Sequence, residues 1–248
     1  MAKMPSLFVS HGAPNLVLQD IPARRFLTDY ADKIDKPTAI LSVSAHFETG
    51  QPAVVADPAP EMIYDFGGFK PELYTLTYPA PGDPDLARRV AGLLSEAGLT
   101  PAIVPKRGYD HGSWVPLMLL YPDADIPVAQ LSVQPGASPA HHHRLGQALS
   151  SLRDEGVLIL GSGSFTDNLR EAFGRLSSGE TEGDRPDWVG GFVEWMVPRI
   201  EAGDVDELLD YRSKAPFAVE NHPTDEHLMP LYVALGAAGD TVQAERVH

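Results

Sequence analysis

Apolar positions along the chain fall into two alternating kinds of run. Short, nearly unbroken stretches rich in β-branched residues predict strands at Ser6–Ser10, Ala39–Ala45, Ala53–Ala56, Ala102–Pro105, Ile126–Val133 and Val157–Leu160. Their continuity, in place of strict alternation, suits strands covered on both faces. Apolar residues at helical spacing predict helices at Pro22–Lys33, Pro84–Ala97, Trp114–Tyr121, Pro139–Arg153, Trp188–Glu201, Val205–Tyr211 and Asp225–Ala237. In the Pro139–Arg153 segment the buried stripe reads Leu145, Ala148, Leu149 and Leu152. Strands that alternate with helices predict an α/β fold. No repeat, low-complexity tract or linker divides the chain, so residues 1–248 are expected to form a single domain.

One stretch fits neither pattern. Ala56 to Pro84 is rich in Gly and Pro and carries Tyr64, Phe66, Phe69, Tyr74 and Tyr78. Loops of this length inside a domain are usually functional or disordered, and this one is too aromatic for disorder. Its rings can wall a pocket for a planar ligand or pack into the core.

Composition narrows the chemistry. The chain has no Cys, which excludes disulfides, thiolate metal sites and Cys nucleophiles and suits a reducing, cytoplasmic setting. A formal net charge of −15 argues against a nucleic-acid partner, which needs basic patches. No run of 18 apolar residues occurs, so no membrane span is expected, and the N-terminus reads as no signal peptide.

Three predicted strands end on polar residues able to bind a metal or ligand. Ser6–Ser10 leads into His11-Gly12, Ala39–Ala45 into His46-Phe47-Glu48, and Val157–Leu160 into Gly161-Ser162-Gly163-Ser164-Phe165-Thr166-Asp167. Ligands of open α/β sheets collect beyond the carboxyl ends of strands, so these residues are expected to converge. His111 precedes a predicted helix, where it can serve the site or cap the helix. His222 and His227 stand five apart, off a common helix face, so at most one is expected to be a ligand; Thr224 is a candidate N-cap, with His227 in the first turn. His141, His142 and His143 open an amphipathic helix and are expected to point mostly outward. A histidine set without thiolates suits Fe(II), Zn(II), Cu(II) or Mn(II). Glu48 and Asp65 can orient imidazoles from behind or remain ordinary solvated carboxylates.

Six ordered segments, SHGAP (Ser10–Pro14), SVSAHFE (Ser42–Glu48), Tyr64–Pro84, Tyr109–Ser132, Leu152–Arg170 and Asn221–Asp240, resemble the class III extradiol ring-cleavage dioxygenases, in the 4,5-DOPA dioxygenase branch of the LigB-type family. The resemblance implies a single α/β domain with a central mixed sheet. It implies a non-haem Fe(II) site, also able to take Zn(II), on His11, His46 and His227, with His111 in the substrate pocket. Tyr64, Phe66, Ser164 and His222 are then candidate substrate contacts. Substrates would be a small aromatic diol and O2, with self-association into a homo-oligomer left open.

The chain departs from the family pattern at one place. Where members read S-G-S-x-x-H-N-L, it has Asp167 in the histidine position. A carboxylate, with an ordinary pKa of about 3.9, can accept a proton but is a poor donor near neutrality. His111 and Asp167 are thus the candidate proton carriers, the first as an imidazole that can take or return a proton. A zinc hydrolase on the same donors and a Memo-like binding protein are the alternatives.

Overall fold

The structure is a computed structural model that describes residues 3–177, 185–239 and 243–248. The last residue of the Asn221–Asp240 segment lies outside them. Six strands among the described residues, β1 (Ser6–Ser10), β2 (Ala39–Glu48), β3 (Ala53–Val55), β4 (Ala102–Val104), β5 (Val128–Val133) and β6 (Val157–Gly163), form one sheet in the order β1-β6-β2-β5-β3-β4. All neighbours run parallel except β3 and β5, so the sheet is mixed.

Side chains alternate between two apolar layers, as the two-residue period of a strand requires. Leu41 and Val43 of β2, Leu131 of β5 and Ile159 of β6 face one layer, with Leu86, Leu145, Phe192 and Leu231 from helices. Ile40, Val128, Leu158 and Leu160 face the other, with Leu27, Trp114 and Leu117. Each Leu or Ile fully buried in this way stabilises by about 1.5–3 kcal/mol relative to exposure. Helices therefore flank the sheet on both faces, as expected for strands with nearly continuous apolar runs.

Several boundaries differ from expectation. β2 runs on to Glu48 instead of stopping at Ala45. Its register against β5 passes from Val43↔Leu131 to Glu48↔Val133, a bulge that leaves His46 inside the strand but without a partner in β5. β6 likewise continues to Gly163, so Gly161-Ser162-Gly163 belongs to the strand. The Trp114 helix begins earlier, at His111, because the Asp110 carboxylate accepts from Ser113 N and caps it; His111 is not the cap. The last helix is Met229–Ala237, not Asp225–Ala237. A start at Asp225 would place Pro230 in the helix interior, where it cannot donate and would clash; at the first turn it is tolerated. Thr224 accordingly caps nothing: its hydroxyl donates to Glu226 Oε1. Helices at Leu169–Ser177 and Ala218–Asn221 were not foreseen.

The aromatic segment is ordered around a short 3-10 turn, Pro71–Thr75. It is pinned beside Tyr109 by Ile63 N donating to Tyr109 O (2.7 Å) and Tyr109 N to Glu61 O (2.7 Å). This seats Asp65 over the start of the His111–Leu120 helix. Among the described residues no helix is long and apolar enough to cross a membrane.

Candidate metal centre

β1, β6 and β2 bring their carboxyl ends to one level, with Ser10 beside Gly163 and Ser44 beside Ser162. His11 continues the ladder by one residue, its N donating to Gly163 O, and is 2% exposed. Gly12 then turns the chain away at φ +62°, a conformation that suits glycine. The His11 Nδ1 lies 3.1 Å from Ser162 Oγ. That hydroxyl gives its own proton to Gly112 O, so its oxygen accepts from His11 Nδ1–H. His11 Nε2 is left as a bare lone pair.

His46 sits on the bulge, a device that re-aims a side chain at the end of a strand. Its Nδ1 faces Asp65 Oδ2 at 3.6 Å, which favours the proton on that nitrogen, and its Nε2 stands 3.1 Å from His11 Nε2. Burial first, then the neighbouring imidazoles, holds His11 well below the usual histidine value and lowers His46 to about 4. Both rings are therefore neutral near pH 7, each able to offer a nitrogen lone pair to a cation. Two imidazole nitrogens each about 2.1 Å from one ion, at angles between square and tetrahedral, stand about 3.0–3.4 Å apart. The observed separation matches a shared cation, and glycine is required nearby: a Cβ on Gly112 would run into Ser44 Oγ and the His46 ring.

His227 arrives from the turn before the last helix. Its carbonyl accepts from Ser164 N (2.9 Å) and lies so close to Gly163 that no side chain fits there. His11, His46 and His227 each offer a ligand atom within 4.8 Å of the others. The outer nitrogen of His227, Nδ1, is hydrogen-bonded to Glu226 Oε1 at 3.1 Å and lies 3.2 Å from Asp167 Oδ2. Burial lowers the pKa of His227, but the Glu226 hydrogen bond and the charges of Asp167, Glu226 and Glu48 outweigh it and raise it. The same hydrogen bond takes Glu226 down to about 2. Burial, aided by Glu226, raises Asp167 against the pull of His227. The outer nitrogens of His11 and His227 are thus held by Ser162 and by Glu226 with Asp167, the support that metal-bound imidazoles normally need, and Asp65 lies 3.6 Å from that of His46.

His111 joins the group, its ring centroid 4.0 Å from that of His46 and 5.2 Å from that of His11. Asp65 Oδ1 accepts from His111 N at 3.0 Å and lies 2.9 Å from His111 Nδ1, off the line of the ring N–H. Burial raises Asp65, and contact with His111 more than reverses this. One carboxylate therefore addresses two of the four imidazoles. Phe66 presents an edge-on contact to His111 with ring centroids 5.8 Å apart, and packs against Trp114 and Tyr74.

Other sequence candidates lie elsewhere. Tyr64 spends its hydroxyl on Leu76 O (2.7 Å), bracing its own loop. Ser164 donates to Thr166 O. His222 is fully buried and donates from Nε2 to Phe165 O at 2.9 Å, beneath the segment that carries Asp167, so it faces packing and not the cluster of rings. His142 also turns inward, against expectation: its Nδ1 donates to Ser138 O and its Nε2 accepts from Gln134 N, fixing a turn. A cavity of about 460 Å³ opens beside Glu226, lined by Glu48, Pro135, Gly136, Arg212, Thr224 and Asp225 among others. The aromatic loop does not line it, because those rings pack on one another and on the core. Ser162 and Glu226 escaped the sequence reading, although Glu226 is the immediate neighbour of His227 and Ser162 lies within the glycine-rich strand end.

Over residues 8–248 the chain matches the family described as the catalytic LigB subunit of aromatic ring-opening dioxygenase. It is 46% identical over 250 residues to the 4,5-DOPA dioxygenase extradiol of Beta vulgaris, covering 98% of this chain and 90% of that protein. Against the 4,5-DOPA dioxygenase extradiol of Escherichia coli K12 the identity is 38% over 242 residues, covering 95% and 85%. The crystal structure of an uncharacterized Escherichia coli K12 protein superposes with a TM-score of 0.75 at 34% identity, covering 94% of this chain and 88% of that one. The chain belongs to the LigB family of extradiol, aromatic ring-opening dioxygenases.

Proposed function

We propose that this protein opens the ring of a small catechol, DOPA or a close analogue, at an Fe(II) centre held by His11, His46 and His227. The observation that carries the reading is the convergence of the His11 and His46 Nε2 atoms, 3.1 Å apart, with a His227 nitrogen within 4.8 Å. Zn(II) suits the same nitrogen donors. When bound, the ion supplies Lewis acidity that eases ionisation of a catechol hydroxyl and leaves positions open for the diol and O2.

The chain's own residues then do the proton work. His111 is placed to take a proton from a catechol hydroxyl and later to return it, with Asp65 holding the imidazole in position. Asp167 is the second proton carrier, its carboxyl raised by burial and therefore a better donor than an exposed aspartate. Phe66, edge-on to His111, offers an apolar face to the ring of the substrate, with Tyr64 behind it. Ser164 and His222 serve the site through the backbone between β6 and Asp167, not by touching substrate. Both atoms of O2 end in the ring-opened semialdehyde acid, so no outside reductant is consumed.

The test is anaerobic loading with Fe(II), then addition of O2 and a panel of catechols. Expected are oxygen uptake equal to catechol consumed and a yellow ring-opened product. Absence of uptake with every catechol tried, in protein shown to hold iron, would overturn the proposal.

A further inference from the structure

We infer that Arg107 and Asp110 are positioning residues, a buried strut that sets the spacing of His46 and His111. The bulge in β2 deprives His46 of a register partner in β5, and its pairing with β6 ends at Ser44. Its peptide groups find partners in the strut instead. Arg107 Nη2 donates to His46 O at 3.2 Å, and His46 N donates to Ser44 Oγ at 3.1 Å. The Ser44 hydroxyl donates in turn to Asp110 Oδ1 at 2.6 Å. Arg107 Nη2 also stands 2.8 Å from Asp110 Oδ2, with the two side chains 17% and 1% exposed. His46 is therefore gripped on both sides by one ion pair.

The same carboxylate reaches His111. Asp110 Oδ1 accepts from Ser113 N at 3.0 Å and so caps the helix whose first residue is His111. The guanidinium is itself immobilised, by Gln130 Oε1 at 3.0 Å and by lying 4.1 Å over the Phe47 ring. A planar fork is needed for this set of contacts, and a lysine ammonium supplies only a point charge. An ion pair kept only for stability would be a poor choice, since desolvation of both charges consumes most of the attraction between them; its value lies in geometry.

This inference rests on the roles proposed above for His46 and His111, but its test does not depend on them. Arg107→Lys and Asp110→Asn are prepared; asparagine keeps the helix cap and removes the charge. Side-chain nitrogen spectra of the metal-free protein are recorded, with Zn(II) affinity by calorimetry. Expected are displaced ring signals for His46 and His111, unchanged signals for His142, and a Zn(II) Kd weakened about 10–100-fold. Ring signals identical to the parent protein in a folded variant would overturn the strut, even if its melting point had dropped. Should Arg107→Lys fail to fold, Asp110→Asn decides. Failure of the parent protein to bind Zn(II) would sink the metal reading alone, and the ring signals would still judge the strut.

Discussion

His11 and His46 aim their Nε2 atoms at each other across 3.1 Å, at the buried end of the sheet. With His227 they offer three ligand atoms within 4.8 Å of one another, so a divalent cation bound there should stabilise the fold. At a concentration 100 times its Kd, a ligand that binds only the native state adds about 2.7 kcal/mol. Zn(II) is expected to raise the melting temperature of the parent protein, with the gain abolished by a chelator and absent in His11→Ala and His46→Ala. An equal rise in those variants would place the ion elsewhere.

Metal uptake should release protons in a pH-dependent way. His11 and His46 are already neutral at pH 6, since their pKa values are lowered, whereas His227 is raised by its carboxylates. Competition from protons near neutrality therefore falls mainly on His227. Calorimetry of Zn(II) binding near pH 6 in buffers of different ionisation enthalpy should show net proton release. Glu226→Gln should reduce that release at the same pH.

Acid should unfold the metal-free protein earlier than its carboxylates alone would dictate. His46, His142 and His222 all titrate at about 4 in the folded chain, against an ordinary 6.5. Between those values the unfolded chain binds protons that the folded one refuses, so stability falls as pH drops from 6.5 toward 4. Each group contributes about 1.4 kcal/mol per pH unit at most. His227 has the opposite sign: its raised pKa adds stability below 6.5 that fades as pH climbs through the folded value. Thermal melts between pH 4 and 8 should show the decline, and a flat profile from 6.5 to 4.5 would contradict it.

Gly112→Ala should damage the centre while leaving every candidate ligand residue in the sequence. The added methyl would meet Ser44 Oγ and the His46 ring. Overpacking of this kind costs about 1–3 kcal/mol, and here it pushes on a ligand. Expected are a lower melting temperature and weaker Zn(II) binding, both measurable on one sample.

Asp167→Asn isolates the carboxylate that replaces the family's histidine. Glu226 still holds His227 Nδ1, so metal affinity should change little. Turnover should fall by about 10²-fold, the lower range for loss of a general acid or base. Steady-state kinetics on iron-loaded protein would separate this from a substrate-binding role, which would raise KM and spare kcat.

The α/β alternation and all six strands were legible, five from the residue at which they start and the sixth two residues early, because apolar runs covered on both faces leave a plain trace. His11, His46, His111 and His227 stand out for the same local reason, placement at strand ends or beside turn residues. The bulge in β2 was not legible, since Ser44-Ala45-His46-Phe47 continues the apolar rhythm and a register jump is a property of two strands. The late start of the last helix was written in Pro230 but overshadowed by the apparent cap at Thr224. His142 and His222 look like surface or ligand histidines because burial against backbone partners, Ser138 O and Gln134 N for one and Phe165 O for the other, leaves no mark in sequence.

Val9 and Ser44 both lie beside Ser162, a rung shared by three neighbouring strands, with Ser10 beside Gly163 one residue further on. The distance between His11 and the base of His46 is thereby gauged by the fixed pitch of a β-ladder, about 4.8 Å from strand to strand. Loops around the pocket can lengthen or change composition without retuning that gauge. Adapting such a scaffold to a larger or smaller ion would move His46 through the short irregularity in β2, where the ladder to β5 is already broken.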